Sequence, residues 1–428
     1  MNFKLKDNFL LGVATASTQI EGGLVDNNWN KAFMEGIIKD GSNPARADDH
    51  YNRYHEDTLL MKKMGLEIYR FGLEWARIMP KEGIIDEDVI KHYLDEIKEI
   101  IDCGIKPLLT IHHFSNPMWF EEKGAFTKKE NMPYFLDYVK LVVERFGDLV
   151  SDYITINEPN IYAYNSYYFG MWYPCHHSLK EARMVLNNFS YVHIKAYEMI
   201  HKMRKEKGYS DTKVSFANHV RVFDPKKEKN LWHRFGARVM EKMFQGSPTR
   251  AMTLGVFKWP LKNIWKVKKG EYADFVGINY YSRSSIAGTN DITKSPSPRN
   301  DLDWEIYPEG IIRTTRKVYD LLPRPIWITE NGTCDKEDVF RCRFLFEHLD
   351  EIAKSDLPFE RYYHWCFLDN WEWCEGESAR FGLVHVDYDT QERKIKKSGE
   401  FYQELIKNKG CTEGMYDKYV KGIEYNIK

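Results

Sequence analysis

The chain has 428 residues, a formal net charge of −1, 43% hydrophobic residues and 15% aromatic residues. Charge so close to balance gives no field to gather nucleic acid or anionic lipid, and no run approaches the ~20 apolar residues of a membrane helix. Neither a nucleic-acid nor a membrane partner is expected, while the 12 Trp and 27 Tyr suit either a site that stacks on apolar ring faces or a large aromatic core.

In chain order, the opening MNFKLKDNF has no apolar h-region and no small-residue cleavage site, so it does not read as a signal peptide. Seven cysteines without paired spacing read as reduced thiols, and a cytoplasmic location is the expectation. Eight strand-like segments follow at 10–16, 68–73, 107–112, 153–157, 214–218, 275–279, 326–330 and 362–367. Most are apolar throughout, as in parallel strands covered on both faces. Helical periodicity fills the intervals at 57–64, 89–103, 134–150, 179–207, 232–244 and 339–354, with Gly104 and Gly208 placed to stop two of these helices.

The alternation predicts an α/β fold, a single-domain (β/α)8 TIM barrel over 1–428 with long βα loops forming the active-site face. A doubly wound sheet is the alternative, but it needs a phosphate-binding loop that the chain lacks. The segment 283–300, with Ser295-Pro296-Ser297-Pro298, falls between strands six and seven and reads as a long active-site loop rather than a linker.

Polar residues gather at the C-terminal strand ends: His113, Asn157, Glu158, Asn218, Asn279, Glu330 and Trp365. In a barrel this end is the active face. Two of the runs, TINEP at 155–159 and ITENG at 328–332, carry β-favouring residues into a glutamate and then a breaker. Either glutamate alone reads equally as a strand-end cap. Two aimed into one barrel mouth are the equipment of glycoside hydrolysis. His112 and His113 are adjacent on a strand and point to opposite faces. No Cys, His or carboxylate spacing fits a metal site, so neither metal nor cofactor is expected. His176 and His177 read as solvated, and Cys366 and Cys374 as packing residues.

Six motifs then occur in order: FLLGVATASTQIEG (9–22), YRFGLEWARI (69–78), NEP (157–159), GINYY (277–281), TENG (329–332) and LDNWEW (368–373). Together they resemble glycoside hydrolase family 1. The resemblance implies a (β/α)8 barrel and cofactor-free, retaining hydrolysis of a small-molecule β-glycoside or short oligosaccharide. It leaves the oligomeric state open, a homo-oligomer included. By matching positions it implies that Glu158 is the acid/base and Glu330 the nucleophile. Arg70 and Tyr281 would hold the nucleophile charged, and Asn157 would bond the sugar 2-hydroxyl. Gln19, His113, Asn279, Glu372, Trp373 and Phe381 would bind the sugar, with Trp365 as the platform beneath it.

The chain departs from the family pattern at Leu11, where a Trp is usual, at Gly124-Ala125-Phe126, where Gly-Gly-Trp is usual, and at Glu377, where an aromatic residue is usual. Trp172 and Tyr173 fall where the family shapes the leaving-group side, so that pocket is expected to be individual. The expected activity is that of an exo-β-glucosidase, with galactosides and fucosides included. A 6-phospho-β-glycosidase is the alternative. It is opposed by Glu372, which would repel a phosphate, and by the absence of a Lys-x-Tyr pattern at 378–381. A catalytically inactive sugar-binding protein is a further alternative, opposed by the intact glutamates, Arg70 and Tyr281.

Overall fold

In the computed structural model, which describes residues 1–428, eight parallel strands form the barrel. They are β1 (Leu10–Ala14), β2 (Ile68–Gly72), β3 (Lys106–His112), β4 (Asp152–Asn157), β5 (Lys213–Pro225), β6 (Val276–Ala287), β7 (Ile326–Asn331) and β8 (Phe359–Trp365). Each pairs with its neighbours in chain order, β8 pairs with β1, and β7 pairs with both β6 and β8. Every residue of β2 and β4 is buried, because helices cover the outside and side chains fill the inside. That is why these runs are apolar without alternation.

The covering helices begin and end on local chemistry. Helix Glu87–Asp102 starts at Asp86, whose carboxylate accepts the N–H groups of Asp88 and Val89 at 3.1 Å. It buries Ile90, Tyr93, Ile97 and Ile100 on one stripe, and Gly104 follows it at φ 79°. Gly332 serves a close approach instead, since a Cβ there would lie 1.8 Å from the Trp365 carbonyl oxygen. The end of the barrel away from the active face is tied by Asp152, which accepts from Arg361 Nη1 at 2.6 Å and Lys106 Nζ at 3.0 Å.

All eight expected strands are present, with shifted edges. The first ends at Ala14, and a short helix Ser17–Ile20 follows. Two expectations are corrected. Residues 283–287, expected in a loop, extend β6 beyond the barrel. They pair with β5 on one side and turn back to Asn290–Ile292 on the other. Serine and arginine in this run hid a strand that its neighbours stabilise. The single helix expected at 232–244 is a helix Leu231–Met240 that passes into a π-helical turn, Glu241–Gly246, before helix Ser247–Leu254. Pro248 cannot donate to the preceding turn, and the wider turn absorbs it. All seven cysteines are unpaired, and no helix is long and apolar enough to cross a membrane.

Candidate active site

Glu158 follows β4 directly, in the left-handed region at φ 40°, and Pro159 then opens the next helix. A non-glycine residue held there is uncommon and concentrates at functional sites. Glu330 lies inside β7, in register with Asn279 on β6. Both glutamates are buried and line one cavity of about 1280 Å³.

Glu330 is held at both oxygens. Arg70 Nη1 donates to Oε1 at 2.6 Å, and the Tyr281 hydroxyl donates to Oε2 at 2.6 Å. Arg70, fully buried on β2, is itself fixed by Thr110 Oγ1 at 3.0 Å, the Thr329 carbonyl at 3.1 Å and Asn157 Oδ1 at 2.7 Å. Glu158 is bonded differently. His219 Nδ1 and Asn279 Nδ2 both donate to Oε1, each at 2.9 Å, and Oε2 has no protein partner.

The two carboxyls titrate as a pair. Burial lifts Glu330 to about 8, against Arg70 and with help from the Glu158 charge. Burial also lifts Glu158, but His219, Asn279 and Arg70 outweigh it and bring it below its ordinary value. By those pulls alone a shared proton would rest on Glu330. The donors around the two carboxyls pull the other way. Arg70 and Tyr281 each donate to one Glu330 oxygen and so favour its charged form, whereas Glu158 Oε2 has no protein donor. Burial also pushes His219 below its ordinary value, with Arg221 acting in the same direction. At pH 7 its imidazole is therefore neutral and offers Glu158 a dipole, not a charge.

Around the glutamates, His113, Trp365, Glu372, Trp373 and Phe381 line the cavity. The His113 ring lies 5.7 Å from those of both Trp365 and Trp373. Glu372 Oε2 accepts from Gln19 Nε2 at 3.0 Å and Asn370 Nδ2 at 2.9 Å, while burial lifts its carboxyl to about 7. Gln19 Oε1 and His113 Nδ1 are buried without a protein partner, hydrogen-bonding capacity that a hydroxyl-rich ligand uses. Asn157 Oδ1 is taken by Arg70 and Asn279, and its Nδ2 meets His113 Nε2 at 2.9 Å. One amide hydrogen of Asn157 is left for a ligand.

Two polar strand-end residues are engaged by protein partners. Asn279, expected to bind substrate, is fully buried, with both amide hydrogens on Asn157 and Glu158 and its oxygen accepting from Thr329 Oγ1 at 2.7 Å. These bonds orient Asn157 and Glu158. Asn218 turns to Thr249 Oγ1 at 2.8 Å, and its neighbour His219 reaches the site. The only sequence signal for His219 was its place one residue farther along the same strand end. The π turn supports this corner: Gln245 bonds the backbone of Arg221 through Oε1 at 3.0 Å and Nε2 at 3.1 Å. Trp304, also missed, packs 5.9 Å from Tyr281 and 6.0 Å from Phe381.

His112 points away from the cavity, among Phe126, Phe135 and Phe189. Glu377, one of the departures noted in sequence, accepts from Arg46 Nε at 2.8 Å, and Trp172, expected on the leaving-group side, lines the cavity. No group of three or more His, Cys, Asp or Glu side chains is arranged to hold a metal ion.

The profile of glycosyl hydrolase family 1 matches residues 1–411. The chain belongs to glycosyl hydrolase family 1. Among its relatives, β-glucosidase A of Thermotoga maritima is 32% identical over 96% of this chain and 99% of that protein. Two solved family 1 folds superpose closely. The β-glycosidase from Pyrococcus horikoshii has a TM-score of 0.89 at 32% identity, with 98% of each chain covered. The Thermotoga maritima β-glucosidase in complex with castanospermine has a TM-score of 0.88 at 30% identity, with 96% of this chain and 100% of that chain covered. Family 1 membership makes this chain a glycosyl hydrolase, and the paired glutamates are its candidate catalytic centre.

Proposed function

We propose that the chain is a retaining exo-β-glucosidase that also accepts β-galactosides and β-fucosides. The observation that carries this is the unequal treatment of the two glutamates. Glu330 is held as a carboxylate by Arg70 and Tyr281. Glu158 keeps one oxygen free to carry a proton.

In the first step Glu330 attacks the anomeric carbon while Glu158 Oε2 gives its proton to the glycosidic oxygen. The C1–O bond breaks, the alcohol leaves, and a glycosyl ester of Glu330 remains. In the second step Glu158, now a carboxylate, takes a proton from water as the water oxygen attacks C1. Glu330 leaves as a carboxylate and the sugar departs in the β configuration. Glu372 accepts hydrogen bonds from O4 and O6. A carboxylate serves either O4 epimer, which supports activity on galactosides.

The test is to follow hydrolysis of an aryl β-glucoside by NMR. The β-anomer of glucose should appear first and mutarotate afterwards. Release of the α-anomer first, or no hydrolysis, overturns the proposal.

A further inference from the structure

The chain is near neutral as a whole, but one segment is not. No Asp or Glu occurs between Glu241 and Glu271, while Lys242, Arg250 and five further lysines fall in that interval. The flanking acids are themselves engaged, Glu241 by Lys317 at 2.7 Å and Glu271 by Arg324. The overall balance of charge, which argues against a membrane partner, hides this run.

The five lysines, Lys258, Lys262, Lys266, Lys268 and Lys269, belong to the connection between helix Ser247–Leu254 and β6. Its ends meet where Gly270 N donates to the Leu254 carbonyl at 3.2 Å, so the run is a compact Ω-loop. Loops of this length without helix or strand are uncommon inside a domain and are mostly functional. The apolar residues turn inward: Pro260 and Leu261 are buried, and Trp265 stacks on Tyr191 at 3.9 Å. Helix Leu179–Glu206 pins the loop from beneath. Asn187 Oδ1 accepts from Lys262 N at 3.1 Å, Asn188 Oδ1 accepts from Trp265 Nε1 at 2.8 Å, and Arg183 Nε donates to the Pro260 carbonyl at 3.0 Å.

All five lysines are exposed, and none of their ammonium groups pairs with a carboxylate. Trp259 stands beside Lys258 at 55% exposure, with Lys242 Nζ 5.3 Å from its ring centre. None of these side chains lines the catalytic cavity. Like charges gathered without partners repel one another, and an anionic surface laid over them removes that cost. A cluster of ~4–8 cations is the number that holds a protein to anionic lipid, and an exposed indole settles at headgroup depth. Lysine is a mobile point charge, which suits a fluid layer of headgroups. The fixed phosphates of a nucleic acid favour the arginine fork, and this run has one arginine.

We propose that the 255–270 loop docks the protein on an anionic lipid surface, its lysines against the headgroups and Trp259 among them. The surface lies apart from the glutamates, so its test leaves the β-glucosidase reading untouched.

The experiment sediments the full chain with vesicles of phosphatidylcholine alone and of phosphatidylcholine with about one-third phosphatidylserine. The protein should sediment with the anionic vesicles only, and about 1 M salt, with its ~3 Å screening length, should release it. Each Lys→Gln substitution in the loop should lower the partition coefficient about fivefold, while Lys258→Arg should preserve it. Trp259→Ser should weaken binding without altering its salt dependence. A native circular dichroism spectrum shows each variant to be folded. No sedimentation of the unsubstituted chain with anionic vesicles, or equal sedimentation with neutral ones, overturns the proposal. So does binding that survives replacement of all five lysines by Gln. Tighter binding of a single-stranded oligonucleotide than of the vesicles, abolished by the same substitutions, assigns the loop to nucleic acid and also overturns it.

Discussion

His219 donates from Nδ1 to Glu158 Oε1 at 2.9 Å, and its other ring nitrogen accepts from Arg221 Nη2 at 3.1 Å. The guanidinium thus fixes which nitrogen carries the hydrogen, and burial keeps the ring neutral. A donor to Glu158 favours the ionised form and holds its pKa down. As an acid, Glu158 works only below that pKa, so it sets the basic limb of the activity profile. His219→Leu should move the basic limb of kcat/KM to higher pH by about one unit, the shift equivalent to ~1.4 kcal/mol of lost hydrogen bonding. His219→Gln, which keeps a donor, should move it less. A limb unmoved in the Leu variant would reduce His219 to packing against Tyr281, on which its ring stacks at 6.1 Å.

The division of labour between the glutamates predicts two different rescue products. Glu330→Gly should abolish hydrolysis, and azide should restore turnover as the α-glycosyl azide, because the anion attacks from the emptied nucleophile position. Glu158→Gly should still be glycosylated by substrates with good leaving groups, and azide should then give the β-product. Identical products from the two variants would mean that the roles are misassigned.

Glu372 Oε2 accepts from Gln19 and Asn370, and the Trp365 indole stands within reach of the same carboxyl. Glu372→Ala should cost about 10²-fold in kcat/KM on glucosides, the range for a hydrogen bond to a charged group. The loss should shrink on a xyloside, which lacks O6. A 6-phosphoglucoside should be cleaved at least ~10²-fold more slowly than the glucoside, given the several kcal/mol of like-charge repulsion. Preference for the phosphorylated substrate would return the chain to the phospho-glycosidase branch.

Away from the site, His50 is buried between Asp57 Oδ2 at 2.7 Å and Glu96 Oε1 at 3.1 Å. Burial opposes its charge, but the two carboxylates outweigh this and lift the imidazole from 6.5 to about 10. The folded state therefore keeps a proton that the unfolded chain gives up above pH 6.5. The stabilisation is complete below that pH and is lost as pH rises towards 10, at up to ~1.4 kcal/mol per unit. The melting temperature should fall over this window, and His50→Gln should flatten the fall. Parallel slopes in the two proteins would show that His50 is neutral in the fold.

Much of this molecule was legible in the chain because the signals are local. Apolar runs bounded by breakers marked all eight strands, and the glutamates of NEP and TENG announced themselves by ending such runs. Gly104 and Asp86 likewise mark helix ends by chemistry that involves only their neighbours. What the sequence could not decide depends on register between distant strands. Barrel closure puts Glu330 level with Asn279 and brings His219 onto Glu158. It thereby ties Asn279 to both Asn157 and Glu158. Strand character at 283–287 exists only through pairing with β5, and the π turn at 241–246 only where Pro248 interrupts a helix. Period and turn chemistry are properties of a few consecutive residues, so the barrel and its two carboxylates can be read along the chain. Which oxygen receives which donor, and which apolar side chains are left facing the cavity, follow from how eight strands close on one another.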